Sequence, residues 1–464
     1  MNILSEVMAA LQHKNYAQAE SLLKTGLQQA PTHIGLHECA ILFYGRTQRM
    51  DEALFHAETG IQLMPHAALF WNHKGNLLYR LNRIEDALEA YQSALEYDSQ
   101  SADAMSNAAL CYVQLNNNEQ ARACFEMALR IKPDHFTNLF NLGLLYRENK
   151  EHKKAQYCFL KCMELQPEQY DAYYQMAIIS MERRHHEEAE GYFLKALGLA
   201  PKVFALHFDY ATLLHQQNRK EEALQYYHHV LQLNPTHEAA RFMVAALTGQ
   251  QTVAQAPNLY LEMLFNQYAP HYDHHLEKIL KYQVPQLMSE TLQKVADAEG
   301  MILDLGCGTG LCGPLLKPHA KTLIGIDLSA EMIKAAASRA CYDHLITGDA
   351  VSELTQYPHY FDTIVAADVL IYFGDLLPIL KVVSDSLKPN GHFVFTVERE
   401  EDDAPGYVLN QSGRFKHSLA YIKATAEAAK FSEIEIKEVI SRYQDHEPVL
   451  AYLVVLRSPF TINR

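Results

Sequence analysis

Several absences limit what this chain can be. It has no run of apolar residues near the ~18 that a membrane span needs, and Met1-Asn-Ile-Leu-Ser-Glu lacks the basic and apolar regions of a signal peptide. It has no C-x-x-C pair. Its 8 cysteines are scattered, and Cys158 and Cys162, four apart in an expected helix, read as core residues rather than zinc ligands. That usage favours a reducing compartment, and the expected location is the cytoplasm. Positive charge is in deficit. Lys and Arg total 40 against 55 Asp and Glu, a formal net charge of −15, which disfavours a broad nucleic-acid-binding surface. Histidine is abundant, at 24, yet His185-His186, His228-His229 and His274-His275 are neighbours pointing about 100° apart on a helix. They read as solvated surface, and no metal site is expected.

What is present divides the chain in two. At 464 residues, 48% of them apolar, it is too long for one typical core. The first 236 residues repeat with a period of 34: Ala19, Ala53, Ala87, Ala121, Ala155, Ala189 and Ala223. Four residues after each stand Leu23, Ala57, Tyr91, Phe125, Phe159, Phe193 and Tyr227. Pro31, Pro65, Pro133, Pro167, Pro201 and Pro235 mark helix ends in the same register, with Ser99 in the missing place. Small alanines let paired helices approach closely, and the larger side chains fill the space between pairs.

This pattern resembles seven tetratricopeptide repeats, whose period it shares. The expected organisation is an array over residues 1–249 with a capping helix from His237, a linker over 250–257, lid helices over 258–300, and a sheet domain over 301–464. The stack should curve around a groove lined by first helices. His73, Asn107, Asn141, Gln175 and Asp209 occupy equivalent positions there. Amide side chains so spaced can hold an extended peptide, since each offers a donor and an acceptor. A protein or peptide partner is therefore expected in the groove; a merely solvated polar face is the alternative.

The second half is organised around Asp304-Leu-Gly-Cys-Gly-Thr-Gly310, between an apolar run, Met301-Ile-Leu, and an expected helix. Strand, glycine turn and helix form the ligand-binding corner of a doubly wound sheet. A dinucleotide fingerprint would need a third glycine where Leu311 stands. Instead an acid precedes the glycines, and Asp327 ends the next apolar run, where it can accept from both ribose hydroxyls.

The stretch resembles motif I and its acidic partner in the class I S-adenosylmethionine-dependent methyltransferases. The resemblance implies a Rossmann-like α/β domain with a seven-stranded sheet ending in an antiparallel hairpin, Ile434 to Val439 and Val449 to Leu456. It implies S-adenosylmethionine as cofactor, held by Asp304, Gly306, Cys307, Gly308, Gly310, Asp327, Leu328, Asp349, Ala350 and Asp368. Tyr272 and Tyr282, with Tyr268, are expected from the lid. The whole chain also resembles bacterial predicted methyltransferases carrying tetratricopeptide repeats, through Leu264-Phe-Asn-Gln-Tyr-Ala, Tyr272-Asp-His-His-Leu, Leu280-Lys-Tyr-Gln-Val-Pro285 and Gly406-Tyr-Val-Leu-Asn-Gln-Ser-Gly-Arg414 with His417.

The fourth strand ends Asp368-Val-Leu-Ile-Tyr372, which is not the Asn/Asp-Pro-Pro-Tyr/Phe pattern that grips an amide or exocyclic amine. Near the methyl we expect Tyr372, Glu398 and His417 as candidate catalytic groups, and Tyr407 and Arg414 as acceptor contacts on a loop over 406–417. The leading expectation is a methyltransferase whose array recruits a protein substrate or partner. The alternatives are a methyltransferase for a small acidic metabolite, with the array docking a partner, and a cofactor-binding scaffold without turnover.

Overall fold

The computed structural model describes residues 3–250, 253–295, 300–400, 406–444 and 446–460. Positions 1–2 of the N-terminus, 251–252 of the expected linker and 296–299 of the expected lid lie outside the described residues. The chain forms two compact units, Met1–Pro201 and Lys202–Arg464. The seventh repeat falls in the second unit, with the sheet. No helix among the described residues is long and apolar enough to cross a membrane.

The first unit holds six helix pairs in strict register. Second helices start at Tyr16, Met50, Ile84, Asn118, His152 and His186; first helices after the opening one start at Ile34, Ala68, Ala102, Phe136 and Tyr170. Ala19, Ala53, Ala87, Ala121, Ala155 and Ala189 are fully buried, and Tyr91, Phe125, Phe159 and Phe193 are buried one turn on. Close approach is enforced by Gly75: a Cβ there would stand 2.5 Å from the Tyr91 ring.

Each first helix closes in the same way. Lys14, Gln48, Asn82, Asn116, Lys150 and Arg184 adopt left-handed backbone, with φ between 55° and 62°. The following amide then bonds back five residues, as Arg83 N does to Leu78 O at 2.9 Å and Glu151 N to Tyr146 O at 2.8 Å. This is the Schellman closure, and it needs positive φ whatever the side chain. The groove amides are engaged with neighbours. Asn107 Nδ2 donates to Asn76 at 3.0 Å, Asn141 Nδ2 donates to Thr137 O at 2.9 Å, and Gln175 accepts from Arg147. Asp209 lies in the second unit.

The second unit opens with the seventh repeat, Phe204–Gln216 and Lys220–Leu233, and the helix Glu238–Thr248, which ends at Gly249 in left-handed conformation. The helix Asn258–Tyr268, a broken helical segment to Ile279 and the helix Val284–Val295 precede the sheet. The strands are β1 (Met301–Leu305), β2 (Thr322–Asp327), β3 (His344–Thr347), β4 (Phe361–Ala366), β5 (Leu387–Arg399), β6 (Tyr407–Leu409), β7 (Phe415–His417), β8 (Glu433–Gln444) and β9 (Glu447–Arg457).

The order β3-β2-β1-β4-β5 is parallel throughout. Buried along most of their length, β1 and β4 are largely apolar, as central parallel strands require, with Asp304 in β1 and Asp362 and Thr363 in β4 as the polar exceptions. β9 runs antiparallel to β5 from His392 to Glu398, and β8 is antiparallel to β9. These seven strands are the expected frame.

Leu387 to Gly391 is the irregular start of β5, with Asn390 at φ 63°. One detail differs from expectation. The segment 406–417, expected as a loop, is the hairpin β6–β7. It adds to the C-terminal end of β5 through Glu398↔Lys416 and Arg399↔His417. Its turn is held by Asn410 Oδ1, which accepts from Ser412 N at 2.8 Å, and by Gly413 at φ 77°. The polar turn misled, because three-residue strands are too short to show a period.

Candidate functional site

The site begins at the turn after β1. Gly306, Gly308 and Gly310 all have positive φ. A Cβ on Gly306 would stand 2.4 Å from Val369, whereas one on Gly308 would have nothing nearer than 3.8 Å. The loop is therefore packed at its start and bare at its centre. Asp327, at the end of β2, holds it: Oδ2 accepts from Gly308 N and Oδ1 from Ser329 N, each at 2.8 Å. Burial pushes the Asp327 carboxyl upward in pKa, and these two amides act against that. Cys307 N is used by Ile326 O at 2.9 Å. Asp304 lies beneath the loop and lines neither cavity described below; it accepts from Tyr342 Oη at 2.6 Å. Burial pushes its pKa up to about 7, against that hydrogen bond.

Two cavities open at the carboxyl ends of the strands, where doubly wound sheets bind ligands. The smaller, about 90 Å³, is lined by Gly306, Gly308, Asp327, Leu328, Asp349 and Ala350. Asp349 also caps the helix Ala350–Leu354, and its Oδ1 accepts from Asn258 Nδ2 at 3.0 Å. The larger, about 640 Å³, is lined by Tyr268, Tyr282, Arg414 and Arg442, and by Thr212, His215 and Lys220 of the seventh repeat. Phe265, Tyr272, Asp368 and Tyr372 line both.

Asp368 is the hinge of this arrangement. It is left-handed, at φ 56°, a conformation that costs a non-glycine residue about 1–3 kcal/mol and persists only where neighbours impose it. The neighbours are Thr396, which donates to Oδ1 at 2.8 Å, and Arg442, which donates to Oδ2 at 3.0 Å. The other Arg442 Nη donates to Glu398. Arg442 is aimed inward by a bulge: the β8–β9 register shifts between Ile440 and Arg442, so Ser441 and Arg442 are consecutive and both buried. Glu398 further accepts from Asn410 Nδ2 at 3.4 Å and has Arg414 Nη1 at 3.8 Å. Burial opposes the Arg414 charge, but Tyr372 and Glu398 beside it hold its pKa above the usual value.

The expected catalytic groups are not brought together. Tyr372 lines both cavities, but Glu398 lines neither and sits behind Arg442. His417 is fully buried and also lines neither. Its Nε2 lies 2.9 Å from Phe373 O and 3.2 Å from Gly374 O, so it donates to them, while the ring stacks on Tyr421. Burial pushes the His417 pKa down to about 4. Tyr407 packs against Phe415 and Tyr421 instead of facing the cavities. Both belong to the hairpin, whose pairing with β5 turns them away from the expected position.

Sequence reasoning missed Arg442, Asn258, Asn266 and the pair Asp273–Arg339. Asn266 Oδ1 accepts from Ser329 Oγ at 2.6 Å. Asp273 accepts from Arg339 at 2.6 Å and from Thr309, while Arg339 Nε donates to Thr309 O at 2.6 Å. The helical segments ahead of the sheet thus grip the glycine loop and the β2 end. Each is a single polar residue with no motif of its own, although Asn266 and Asp273 fall in stretches quoted above for a resemblance alone.

Residues 272–432 match the profile of a methyltransferase domain, and residues 72–136, 137–169 and 174–238 match tetratricopeptide repeat profiles. The chain is 33% identical over 140 residues to the malonyl-[acyl-carrier protein] O-methyltransferase of Priestia megaterium, covering 29% of this chain and 50% of that protein. It is 24% identical over 204 residues to a ubiquinone biosynthesis O-methyltransferase of Ralstonia nicotianae, covering 38% and 85%. The chain thus spans half the length of the first of these relatives. Among solved structures, YrrB, a TPR protein with an unusual peptide-binding site, aligns at 24% identity with a TM-score of 0.37, over 40% of this chain and 95% of that one.

The fold and the glycine corner define a doubly wound methyltransferase domain preceded by helical repeats. The chain carries tetratricopeptide repeats in its N-terminal half and a methyltransferase domain at its C-terminus.

Proposed function

We propose that this chain is an S-adenosylmethionine-dependent methyltransferase whose acceptor enters the larger cavity. The observation that carries this is the wall shared between the cavities, Tyr272, Asp368 and Tyr372. One cavity has the residues for a nucleoside and the other is larger, within the size range of small-molecule sites. The residues of the smaller cavity suit the nucleoside part of the donor. The bare backbone at Gly308 admits close approach, Asp327 presents a carboxylate to a diol, and Asp349 with Ala350 lies on the next strand end. When bound, S-adenosylmethionine supplies an electrophilic sulfonium methyl.

The chain's own residues then orient and enclose. Tyr272 covers the passage, and Tyr372 with Arg414 faces the acceptor. Burial pushes the Tyr272 phenol pKa up, so it stays a hydrogen-bond donor at neutral pH. Glu398 and His417 are both withdrawn, and Asp368 is already bonded to Arg442. Positioning therefore carries the reaction, and the acceptor atom is one that needs no dedicated base at neutral pH. An oxygen acceptor accords with the two relatives, which are O-methyltransferases by name. The repeats of the first unit recruit the protein that bears or delivers the acceptor.

The test is transfer of radiolabelled methyl from S-adenosylmethionine into fractionated lysate, with wild type and Asp327→Ala compared. Label should enter one fraction with wild type alone, and the fraction separates a protein acceptor from a metabolite. A wild-type protein that binds the donor yet labels neither fraction would be a scaffold, and the proposal fails.

A further inference from the structure

The larger cavity has a composition at odds with the rest of the chain. We propose that it is an anion-selective acceptor site, walled on one side by the seventh repeat, whose ligand carries a carboxylate. This rests on the methyltransferase reading and adds to it the acceptor's charge and the repeat's part in binding it.

Three observations converge. Among the described residues the lining includes Lys220, Arg414 and Arg442 against one carboxylate, Asp368, on a chain whose net charge is −15. That carboxylate is already committed to Arg442 and Thr396. Lys220 and Arg414, by contrast, have capacity to spare. Among the described residues Lys220 Nζ bonds to a neutral oxygen, Gln411 Oε1, at 2.8 Å. Arg414 reaches Glu398 only at 3.8 Å, and its side chain is 28% exposed. Arg442, 2% exposed, is occupied through its Nη atoms by Asp368 and Glu398 and serves as a wall of the cavity. The Arg414 guanidinium is the one that can match the paired oxygens of a carboxylate.

The seventh repeat is built into the site. Thr212, His215 and Lys220 line the cavity, and His215 Nε2 donates to Gln411 O at 3.1 Å in the β6–β7 turn. The cap helix adds Phe242, whose ring lies 6.3 Å from Phe415 and 5.3 Å from Tyr260. The repeat therefore shapes the pocket as a fixed wall, so its residues act on acceptor affinity directly.

The test uses the full chain loaded with S-adenosylhomocysteine, and calorimetry with three probes: glutarate, its neutral analogue glutaramide, and inorganic phosphate. Glutarate should bind about tenfold or more tightly than glutaramide. Lys220→Gln and Arg414→Gln should each weaken glutarate by about fivefold or more, with S-adenosylhomocysteine affinity and melting temperature unchanged. No preference for glutarate over glutaramide, or variants with full glutarate affinity, would overturn the proposal. Phosphate binding tighter than glutarate would overturn the carboxylate assignment. Failure to bind S-adenosylhomocysteine would instead count against the methyltransferase reading itself. Fractionation of labelled product then separates a free acid from a carboxylate carried on a protein.

Discussion

Arg442 Nη1 lies 3.0 Å from Asp368 Oδ2, joining the bulge of β8 to the left-handed end of β4 across 74 residues of sequence. The same guanidinium holds Glu398, so one buried cation compensates two carboxylates. Removing it should leave Asp368 uncompensated and Glu398 with only the more distant Arg414. Arg442→Met is expected to destabilise the protein by about 3–5 kcal/mol, and adding Glu398→Gln should recover part of that loss. Denaturant unfolding of the single and double variants measures this; additive losses would show that the pair does not couple.

Asp327 is expected to exchange its two loop amides for, or share them with, a ribose diol. Asp327→Ala should weaken S-adenosylmethionine binding by about 1.5–3 kcal/mol, roughly 10- to 150-fold. Unchanged affinity by calorimetry, in a variant that still melts cooperatively, would remove Asp327 from the site.

His417 makes the stability of the sheet unit depend on pH. Its folded pKa of about 4 lies below the unfolded value of about 6.5. Between those values the unfolded chain binds the proton and the folded one does not. Stability should therefore fall as pH drops through that window, by about 3 kcal/mol for this residue. His417→Gln, which retains a donor toward Phe373 O and Gly374 O, should flatten that part of the profile. Turnover near neutral pH should change far less than the ~10²–10⁴ expected of a lost base. A variant with the wild-type stability profile, or one that is catalytically dead, would contradict the buried structural role.

The unit that folds alone should be residues 202–464 rather than 257–464. The longer fragment keeps Lys220 and His215 on Gln411, and Phe242 against Tyr260. It is expected to melt in one transition and bind S-adenosylmethionine with full-length affinity. The shorter should be less stable because it exposes Phe415 and Tyr260. Equal melting temperatures for the two would place the boundary at the linker.

Much of this architecture could be read in advance, and the reason is local. The 34-residue period survives because each repeat packs only on its neighbours, so every buried alanine repeats the same constraint. The glycine corner is legible because bare backbone and positive φ leave few residue choices. The acceptor side was not, because it is assembled from a distance. Arg442 counts only once a bulge aims it and β9 places β8 beside the site. His417 and Tyr407 looked available until a hairpin of three-residue strands buried the first and packed the second against Phe415 and Tyr421. The Schellman closures escaped notice because Lys14, Gln48, Lys150 and Arg184 carry no sign of left-handed backbone.

The division at Pro201 also sets how such a chain can change over generations. Six helix pairs lie before it in whole steps of 34 residues, so a duplication or deletion of one step alters the reach of the array. The glycine corner, the Arg442 bulge and the Gln411 contacts all lie beyond it and would be carried along intact. The seventh pair has no such freedom, since losing it would remove Thr212, His215 and Lys220 from the wall of the larger cavity. Lineages of this architecture should therefore differ in repeat number by additions and losses upstream, with the last pair travelling with the sheet domain as a single heritable piece.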